Sequence, residues 1–233
     1  MDDSAPSSPP SPSLRGVRVV VTAGGTREPI DPVRFIGNRS SGKMGNALAA
    51  ACLEAGAQVE LITAAPPPAL APGLTVTEVE TADEMKGAVW AALDQAGCLL
   101  MAAAVADYRP RGVSDRKLKK SEAGATLELV PTVDILESLR GHPRRSRVLV
   151  VGFAAETDDL VHNATEKLRR KGLDLVVLND VGAPGVGMGS EDNAVTVLDR
   201  DGVVMSVERA PKLEVARRLV ALVGERLVRS AQG

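Results

Sequence analysis

Aromatic residues are nearly absent from this 233-residue chain, which holds one Trp, one Tyr and two Phe. The core must therefore be built mainly from Ala, Val and Leu, and a nucleic-acid surface made of several stacked rings is excluded. Net charge is small as well, because 28 basic residues stand against 30 acidic ones and leave −2. A general DNA- or RNA-binding function, which needs a large positive field, is not expected.

Cysteine and long apolar runs are also scarce. Cys52 and Cys98 lie far apart in apolar surroundings, which predicts buried free thiols and not a disulfide framework. The N-terminus has no charged start followed by an apolar segment, and no run approaches the ~18 apolar residues of a membrane span. These features predict a cytoplasmic protein without membrane contact.

The chain does contain an alternation of short β-branched runs with helical stretches, which is typical of a parallel sheet with helices on both faces. The expected strands are Val17–Thr22, Gln58–Thr63, Thr75–Glu78, Cys98–Ala102, Val148–Val151 and Leu173–Leu178, followed by a hairpin of Ala194–Asp199 and Val203–Val207. The expected helices are Gly42–Ala55, a helix from a Thr81/Glu84 capping box to Gln95, Asp158–Lys171 and one opening at Pro211. The predicted fold class is Rossmann-like α/β.

Two segments fall outside this alternation. Residues 1–15 are mostly Pro and Ser, which predicts a disordered linker or tail before a single domain at 16–233. An interdomain linker and a natural or vector-derived start both remain open. The polar, basic stretch from Ala102 to Pro131, with a short strand expected at Thr126–Val130, predicts a small β arm or flap leaving the sheet.

Ligands of open α/β sheets bind at the carboxyl ends of the strands, so the loops there are the candidate sites. The first holds Gly24 and Gly25 and then GNRSSGKMG at 37–45, where Ser40, Gly42 and Gly45 outline a phosphate cradle before a helix. An ordinary capped loop is the alternative. Met44 stands where a P-loop needs Ser or Thr, and G-x-G-x-x-G is missing, so P-loop and NAD enzymes are disfavoured.

The later loops carry further candidates, each with a plainer structural alternative. The Ala102–Ala104 stretch leaves room for a flat ligand beside Asp107, although alanines also simply pack. Arg116–Lys120 is either a mobile anion-binding loop or a solvated charge run. The remaining candidates follow the next two strands or share a helix face: Phe153, Lys167, Lys171 and Asn179.

Catalytic machinery of the common kinds is not evident. Neither His142 nor His162 has a Ser or Cys partner that the sequence supplies, so an acyl-enzyme triad is not expected. No His, Cys, Asp and Glu cluster has metal-ligand spacing. Any metal is expected to be Mg²⁺ carried by nucleotide phosphates, with no protein ligands.

Five segments together resemble the bacterial phosphopantothenoylcysteine synthetase domain, in order and spacing: TAGGTREPIDPVRFIGNRSSGKMG, AAAVADYRP, RKLKK, VGFAAET and LNDV. The resemblance covers roughly Val17 to Val228. It implies a ligase of coenzyme A biosynthesis that activates 4′-phosphopantothenate with CTP as an acyl-cytidylate and then joins it to L-cysteine. It also implies a homodimer and fusion to a phosphopantothenoylcysteine decarboxylase, the half that would hold FMN.

The resemblance assigns roles to the candidate residues. Asn38 and Lys117 are implied to be catalytic, Asn38 in the second step and Lys117 at the triphosphate. Substrate contacts are implied for Asn38, Ala103, Ala104 and Asp107. Nucleotide contacts are implied for Gly24, Gly25, Ser40, Gly42, Gly45, Ala102, Ala103, Asp107, Lys117, Phe153, Lys167, Lys171 and Asn179. A non-catalytic nucleotide-binding module and an ATP-using ligase of the same type stay as alternatives.

Overall fold

In a computed structural model of the chain, residues 13–120, 124–156, 160–180 and 189–232 are described. The strands are β1 (Arg18–Ala23), β2 (Arg27–Pro29), β3 (Phe35–Gly37), β4 (Gln58–Thr63), β5 (Leu74–Glu78), β6 (Cys98–Met101), β7 (Tyr108–Pro110), β8 (Leu129–Pro131), β9 (Leu149–Glu156), β10 (Leu175–Asp180), β11 (Asp192–Asp199) and β12 (Gly202–Pro211). The helices are α1 (Lys43–Glu54), α2 (Ala82–Ala92), α3 (Ile135–Ser138), α4 (Leu160–Lys171) and α5 (Lys212–Gln232).

One eight-stranded sheet organises the described residues, in the order β12-β11-β10-β9-β6-β1-β4-β5. The strands from β10 to β5 run parallel, and β11 and β12 add an antiparallel hairpin at one edge. Helices cover both faces: α1 and α5 pack through one apolar cluster, and α2, α3 and α4 through another. The predicted Rossmann-like class is confirmed.

Several predicted elements are confirmed almost to the residue. Strand β4 has the predicted bounds, and the capping box at Thr81 is present, with the Glu84 backbone N–H donating to the Thr81 hydroxyl at 3.2 Å. Cys52 and Cys98 are free and buried, as expected. Burial raises the pKa of Cys52 to about 12 and that of Cys98 well above its usual value, so both thiols stay protonated.

Some boundaries differ. Helix α2 ends at Ala92, three residues before Gln95, and β12 extends to Pro211, so the last helix opens one residue later than expected. Pro211 is tolerated in the strand because β12 is an edge strand, where a missing N–H breaks no ladder. The first residues of the predicted helix at Asp158 lie outside the described residues.

The excursion at Ala102–Pro131 forms a two-stranded arm. Of the expected Thr126–Val130 strand, only Leu129 and Val130 lie in β8, which pairs with β7; the strand begins three residues later and ends one residue later than expected. A second two-stranded unit, β2 with β3, lies in the first loop and was not predicted. Residues 1–12 of the predicted tail lie outside the described residues, but Leu14 is already buried in the core.

Candidate functional site

A cleft of about 680 Å³ opens where β1 and β6 stand side by side and their following loops meet. These two strands are the switch point of the sheet, the place where ligands of such folds bind. Its walls hold most of the predicted site residues, namely Asn38, Ser40, Gly42, Gly45, Ala102, Ala103, Ala104, Asp107, Phe153, Lys167, Lys171 and Asn179. These residues come from the segment between β3 and α1, the first turns of α1, the loop after β6, strands β9 and β10 and helix α4, and they meet at the carboxyl ends of the parallel strands.

The start of α1 forms the floor of the cleft. Gly42 stands at the N-cap with φ 77°, a left-handed conformation that a side chain would strain, and no side chain caps the helix. A Cβ on Gly45 would lie 2.5 Å from the Cβ of Ala23, so glycine is what lets the helix approach β1. With no acidic residue in the first turn, the N–H groups of that turn and the helix dipole suit an anion.

Gly24 and Gly25 do not line the cleft. They lie behind its wall, where the backbone N–H of Ala104 donates to the Gly24 carbonyl at 2.8 Å and Gly25 bridges to Ala104. A Cβ on Gly25 would meet the carbonyl oxygen of Asn38 at 2.6 Å. The structure thus gives these glycines a packing position, and the nucleotide contact expected of them stays a prediction.

The loops that follow β1 and β6 are tied together by side chains that the sequence had not indicated. The hydroxyl of Thr22 accepts from the backbone N–H of Ala103 at 3.1 Å, and that of Thr26 accepts from Ala106 at 2.8 Å. Both threonines are fully buried. They fix the backbone that forms the alanine wall of the cleft.

Asn38 reaches across the same junction. Its Nδ2 donates to the carbonyl oxygens of Val105 at 3.0 Å and Ala104 at 3.3 Å. The side chain therefore links the segment after β3 to the loop after β6, at the cleft. An amide does this because it donates, which a carboxylate of the same shape does not.

Two lysines of α4 line the opposite wall. Lys167 donates to the backbone carbonyl of Phe153 at 2.8 Å, and Lys171 is buried and pairs with Asp134 and, at 3.1 Å, with Glu137. Burial acts to raise the pKa of Asp134, but the hydrogen bond from Lys171, the backbone N–H of Glu137 and the nearby positive charges together lower it. Their expected common helix face is confirmed by their place on one wall.

Asn179 supplies an unused polar atom. Among the described residues, its buried Oδ1 has no hydrogen-bond partner. A buried carbonyl oxygen without a partner is costly, so an N–H group of a ligand in the cleft would satisfy it. This is the clearest sign in the cleft of a missing polar partner.

Other wall residues were not predicted. They are Lys43, Met44, Met101, Val105, Ala106, Pro131, Thr132, Val133, Asp134, Ile135, Leu136, Ala154, Asn193 and Lys212. Lys43 could have been predicted from the sequence, because it lies in the glycine-rich segment at 37–45. Asn193 and Lys212 could not, because only the folding of the antiparallel hairpin brings them to the cleft. Burial lowers the pKa of Lys212, and the neighbouring Lys43 charge lowers it further.

The basic loop lies apart from this cleft. Lys117 is exposed and does not line the wall, and the same holds for its neighbours Arg116, Lys119 and Lys120. The structure therefore does not bring Lys117 together with the other site residues in this chain alone. Its catalytic role stays a prediction.

The histidines show no nucleophilic arrangement. His142 is buried, packs edge-on against Trp90 at 4.9 Å, and accepts from the Arg144 backbone N–H, while His162 is exposed on α4. Across the described ranges, no group of three or more His, Cys, Asp or Glu side chains is arranged to hold a metal. Helices long and apolar enough to cross a membrane are likewise not found among these ranges.

Comparison with known proteins shows which family this chain resembles. The family model described as the DNA/pantothenate metabolism flavoprotein C-terminal domain matches residues 14–227. The chain is 46% identical over 209 residues to the coenzyme A biosynthesis bifunctional protein CoaBC of Bacillus subtilis (strain 168), covering 88% of this chain and 50% of that protein. The chain thus spans about half the length of this curated relative.

The fold of this chain is also similar to those of solved structures. The C-terminal domain of a coenzyme A biosynthesis bifunctional protein CoaBC superposes with a TM-score of 0.76 at 39% identity, covering 93% of this chain and 98% of that one. A Cab2 mutant in complex with phosphopantothenate-cysteine superposes with a TM-score of 0.75 at 19% identity, over 94% and 90% of the two chains, and shows the shared fold. The resemblance read from the five segments is confirmed, and the chain belongs to the DNA/pantothenate metabolism flavoprotein C-terminal domain family.

Proposed function

We propose that this chain is a phosphopantothenate–cysteine ligase that activates its acid with CTP. One observation carries the proposal: the cleft collects a glycine-lined helix start, an amide, an aromatic ring and lysines, while the thiols of the described residues are buried and protonated. Such a site is suited to positioning and charge neutralisation, and a mixed anhydride formed with a nucleotide needs no protein nucleophile.

The reaction has two balanced steps. A carboxylate oxygen of 4′-phosphopantothenate attacks the α-phosphorus of CTP, and the bond to the β-phosphate oxygen breaks to release pyrophosphate. The amine of L-cysteine then attacks the acyl carbon, CMP leaves with the bonding electrons, and the amine loses a proton. Mg²⁺ enters with the triphosphate, whose oxygens are the ligands it prefers.

The residues of the cleft are assigned to these steps by their position, and Lys117, which lies outside the cleft of its own chain, is assigned by the resemblance. Ser40, Gly42 and Gly45 bind the nucleotide phosphates at the start of α1. The nucleoside lies against Phe153, Lys167, Lys171 and Asn179, with the alanine wall of Ala102 and Ala103 behind it. Asn179 Oδ1 accepts an amino N–H, and Ala104 with Asp107 bounds the pantothenate arm. Asn38 holds the acyl intermediate, and Lys117 neutralises the pyrophosphate.

Relatives support this proposal. CoaBC proteins are named for coenzyme A biosynthesis, and the Cab2 neighbour holds phosphopantothenate-cysteine, which is the product of the proposed ligation. The relatives are about twice as long as this chain, so a fused decarboxylase half carrying FMN belongs to the proposal as well.

Nucleotide choice separates the alternatives. We expect phosphopantothenoylcysteine to form with CTP and far more slowly with ATP, and CTP cleavage to require phosphopantothenate. A faster reaction with ATP would identify the ATP-using ligase instead. Tight CTP binding without any cleavage in the presence of both other substrates would identify a non-catalytic module.

The two-stranded arms also support a homodimer. Most of the large exposed apolar side chains lie on or beside β2, β3, β7 and β8, namely Val33, Phe35, Tyr108, Val113, Leu118, Leu127 and Leu129. Clustered apolar and aromatic exposure is typical of a protein interface. We propose that these arms meet across a twofold axis and bring the partner's basic loop towards the cleft.

Phe35→Glu is expected to shift the protein from dimer to monomer at micromolar concentration, because it buries a charge in the proposed interface. Val203→Glu is the matched control, since Val203 is equally exposed but lies on the edge strand β12. Light scattering measures both masses. A monomeric wild type with full activity, or dissociation by Val203→Glu alone, would contradict this arrangement.

A further inference from the structure

Two side chains of the turn between β2 and β3 hydrogen-bond to the backbone of the basic loop, Arg116–Lys120. Asp31 Oδ2 accepts from the N–H of Leu118 at 3.1 Å, and Arg34 Nη2 donates to the carbonyl of Leu118 at 3.0 Å. Both polar backbone groups of one residue are thus held by side chains 84 and 87 positions earlier in the chain. Leu118 directly follows Lys117. We call this set of contacts the Asp31 latch.

The Asp31 carboxylate is buried and accepts several hydrogen bonds. Its side chain is 0% exposed, and its two carboxylate oxygens have different hydrogen-bond partners. Oδ1 accepts from the backbone N–H groups of Val33 and Arg34, both at 2.9 Å, and so folds the turn. Oδ2 accepts from the Arg34 guanidinium at 2.5 and 3.0 Å and from Leu118. The Arg34 side chain keeps the pKa of Asp31 far below its usual range, so the carboxylate stays charged.

The turn between β2 and β3 contacts both the basic loop and, through β3, the segment that holds Asn38. The turn that holds Leu118 leads through β3 into Asn38, which bonds to the cleft wall at Val105. A further backbone contact, from Ser114 N–H to the Ile30 carbonyl at 3.0 Å, joins the same turn to the beginning of the loop. The small hairpin therefore fixes the basic loop, and with it Lys117, beside the two-stranded arms that form the proposed dimer interface.

We propose that Asp31 is a positioning residue, which holds the basic loop beside the two-stranded arms so that, in the proposed dimer, its Lys117 meets the triphosphate in the partner's cleft. This rests on the proposed function for the task of Lys117 and on the proposed dimer for the cleft that Lys117 reaches. Fixing a charged group before the reaction saves the cost of ordering it during the reaction, and misplacing such a group by about 1 Å costs on the order of 10²-fold in rate.

Asp31→Asn tests the latch with little change in shape. The retained oxygen still folds the turn, whereas the new NH2 group cannot accept from Leu118 or Arg34. The matched control is Asp199→Asn, because Asp199 is also a buried carboxylate that holds an arginine, Arg226, and a backbone N–H, that of Asp201, in a turn. Arg34→Lys, at a half-exposed side chain, keeps the charge but loses the planar fork.

Limited trypsin digestion gives a readout that does not depend on activity. The loop offers Arg116, Lys117, Lys119 and Lys120 as cleavage sites. With the latch removed, we expect nicking there to become about tenfold faster or more, with Tm lowered no further than in Asp199→Asn. Unchanged nicking in both Asp31→Asn and Arg34→Lys would overturn the latch, whatever the activity shows.

A double-mutant cycle tests the positioning role. Asp31→Asn is expected to slow pyrophosphate release from CTP on the order of 10²-fold, in kcat more than in KM. In a Lys117→Gln background the same change should cost less than about threefold, because the group that it positions is already gone. Full additive losses would overturn the role. A wild type that releases no pyrophosphate would refute the proposed function while leaving the nicking result to decide the latch.

Discussion

Asn38→Asp is expected to lower the overall ligation rate on the order of 10²-fold or more, with the loss concentrated in the second step. The Asn38 amide donates to the carbonyls of Ala104 and Val105. A carboxylate cannot donate, so it would repel both oxygens and bring a negative charge beside an acyl phosphate. Single-turnover assays should show pyrophosphate released from CTP and the acyl-cytidylate persisting after cysteine is added.

Asn163→Asp makes a matched control for this variant. Asn163 is exposed on α4 and lies outside the cleft wall, so the same chemical change there should leave ligation near the wild-type rate. Normal steady-state ligation by Asn38→Asp would contradict the catalytic role proposed for Asn38.

Lys117→Gln is expected to slow the first step on the order of 10²-fold or more, because the departing pyrophosphate loses a neutralising charge. Lys117 is exposed, so its replacement should leave the melting temperature unchanged. Rapid-quench measurement of pyrophosphate release from CTP and phosphopantothenate follows this step without cysteine.

Lys119→Gln serves as the control for loop charge. Lys119 is exposed in the same loop, two residues further along the chain, so it tests whether any lysine of the loop suffices. Equal losses in the two variants would replace the specific role of Lys117 by a general charge effect. An unimpaired first step in Lys117→Gln would show that Lys117 is an ordinary exposed lysine with no role in catalysis.

The sequence indicated the central sheet because buried parallel strands are short, β-branched and bounded by helices. Strand β4 was predicted to the residue and β6 within one, and the carboxyl-edge rule then placed Asn38, Phe153 and Asn179 at one cleft. This succeeded because local pattern and sheet topology point to the same edge.

What the sequence did not indicate depends on contacts between distant residues. Strands β2 and β3 have three residues each, too few to show a period. Lys212 reaches the cleft because the antiparallel hairpin turns α5 back towards the parallel strands, which no local pattern reveals. The Asp31 bond to Leu118 spans 87 positions and depends on both arms being folded.

The most direct test of the account is the amount of pyrophosphate released from CTP when phosphopantothenate is present and cysteine is absent. If activation precedes amide formation without a protein nucleophile, release should stop at about one equivalent per site, as the acyl-cytidylate stays bound, and the intact mass of the denatured protein should be unchanged. A covalently acylated protein, or no pyrophosphate until cysteine is added, would contradict the proposed mechanism.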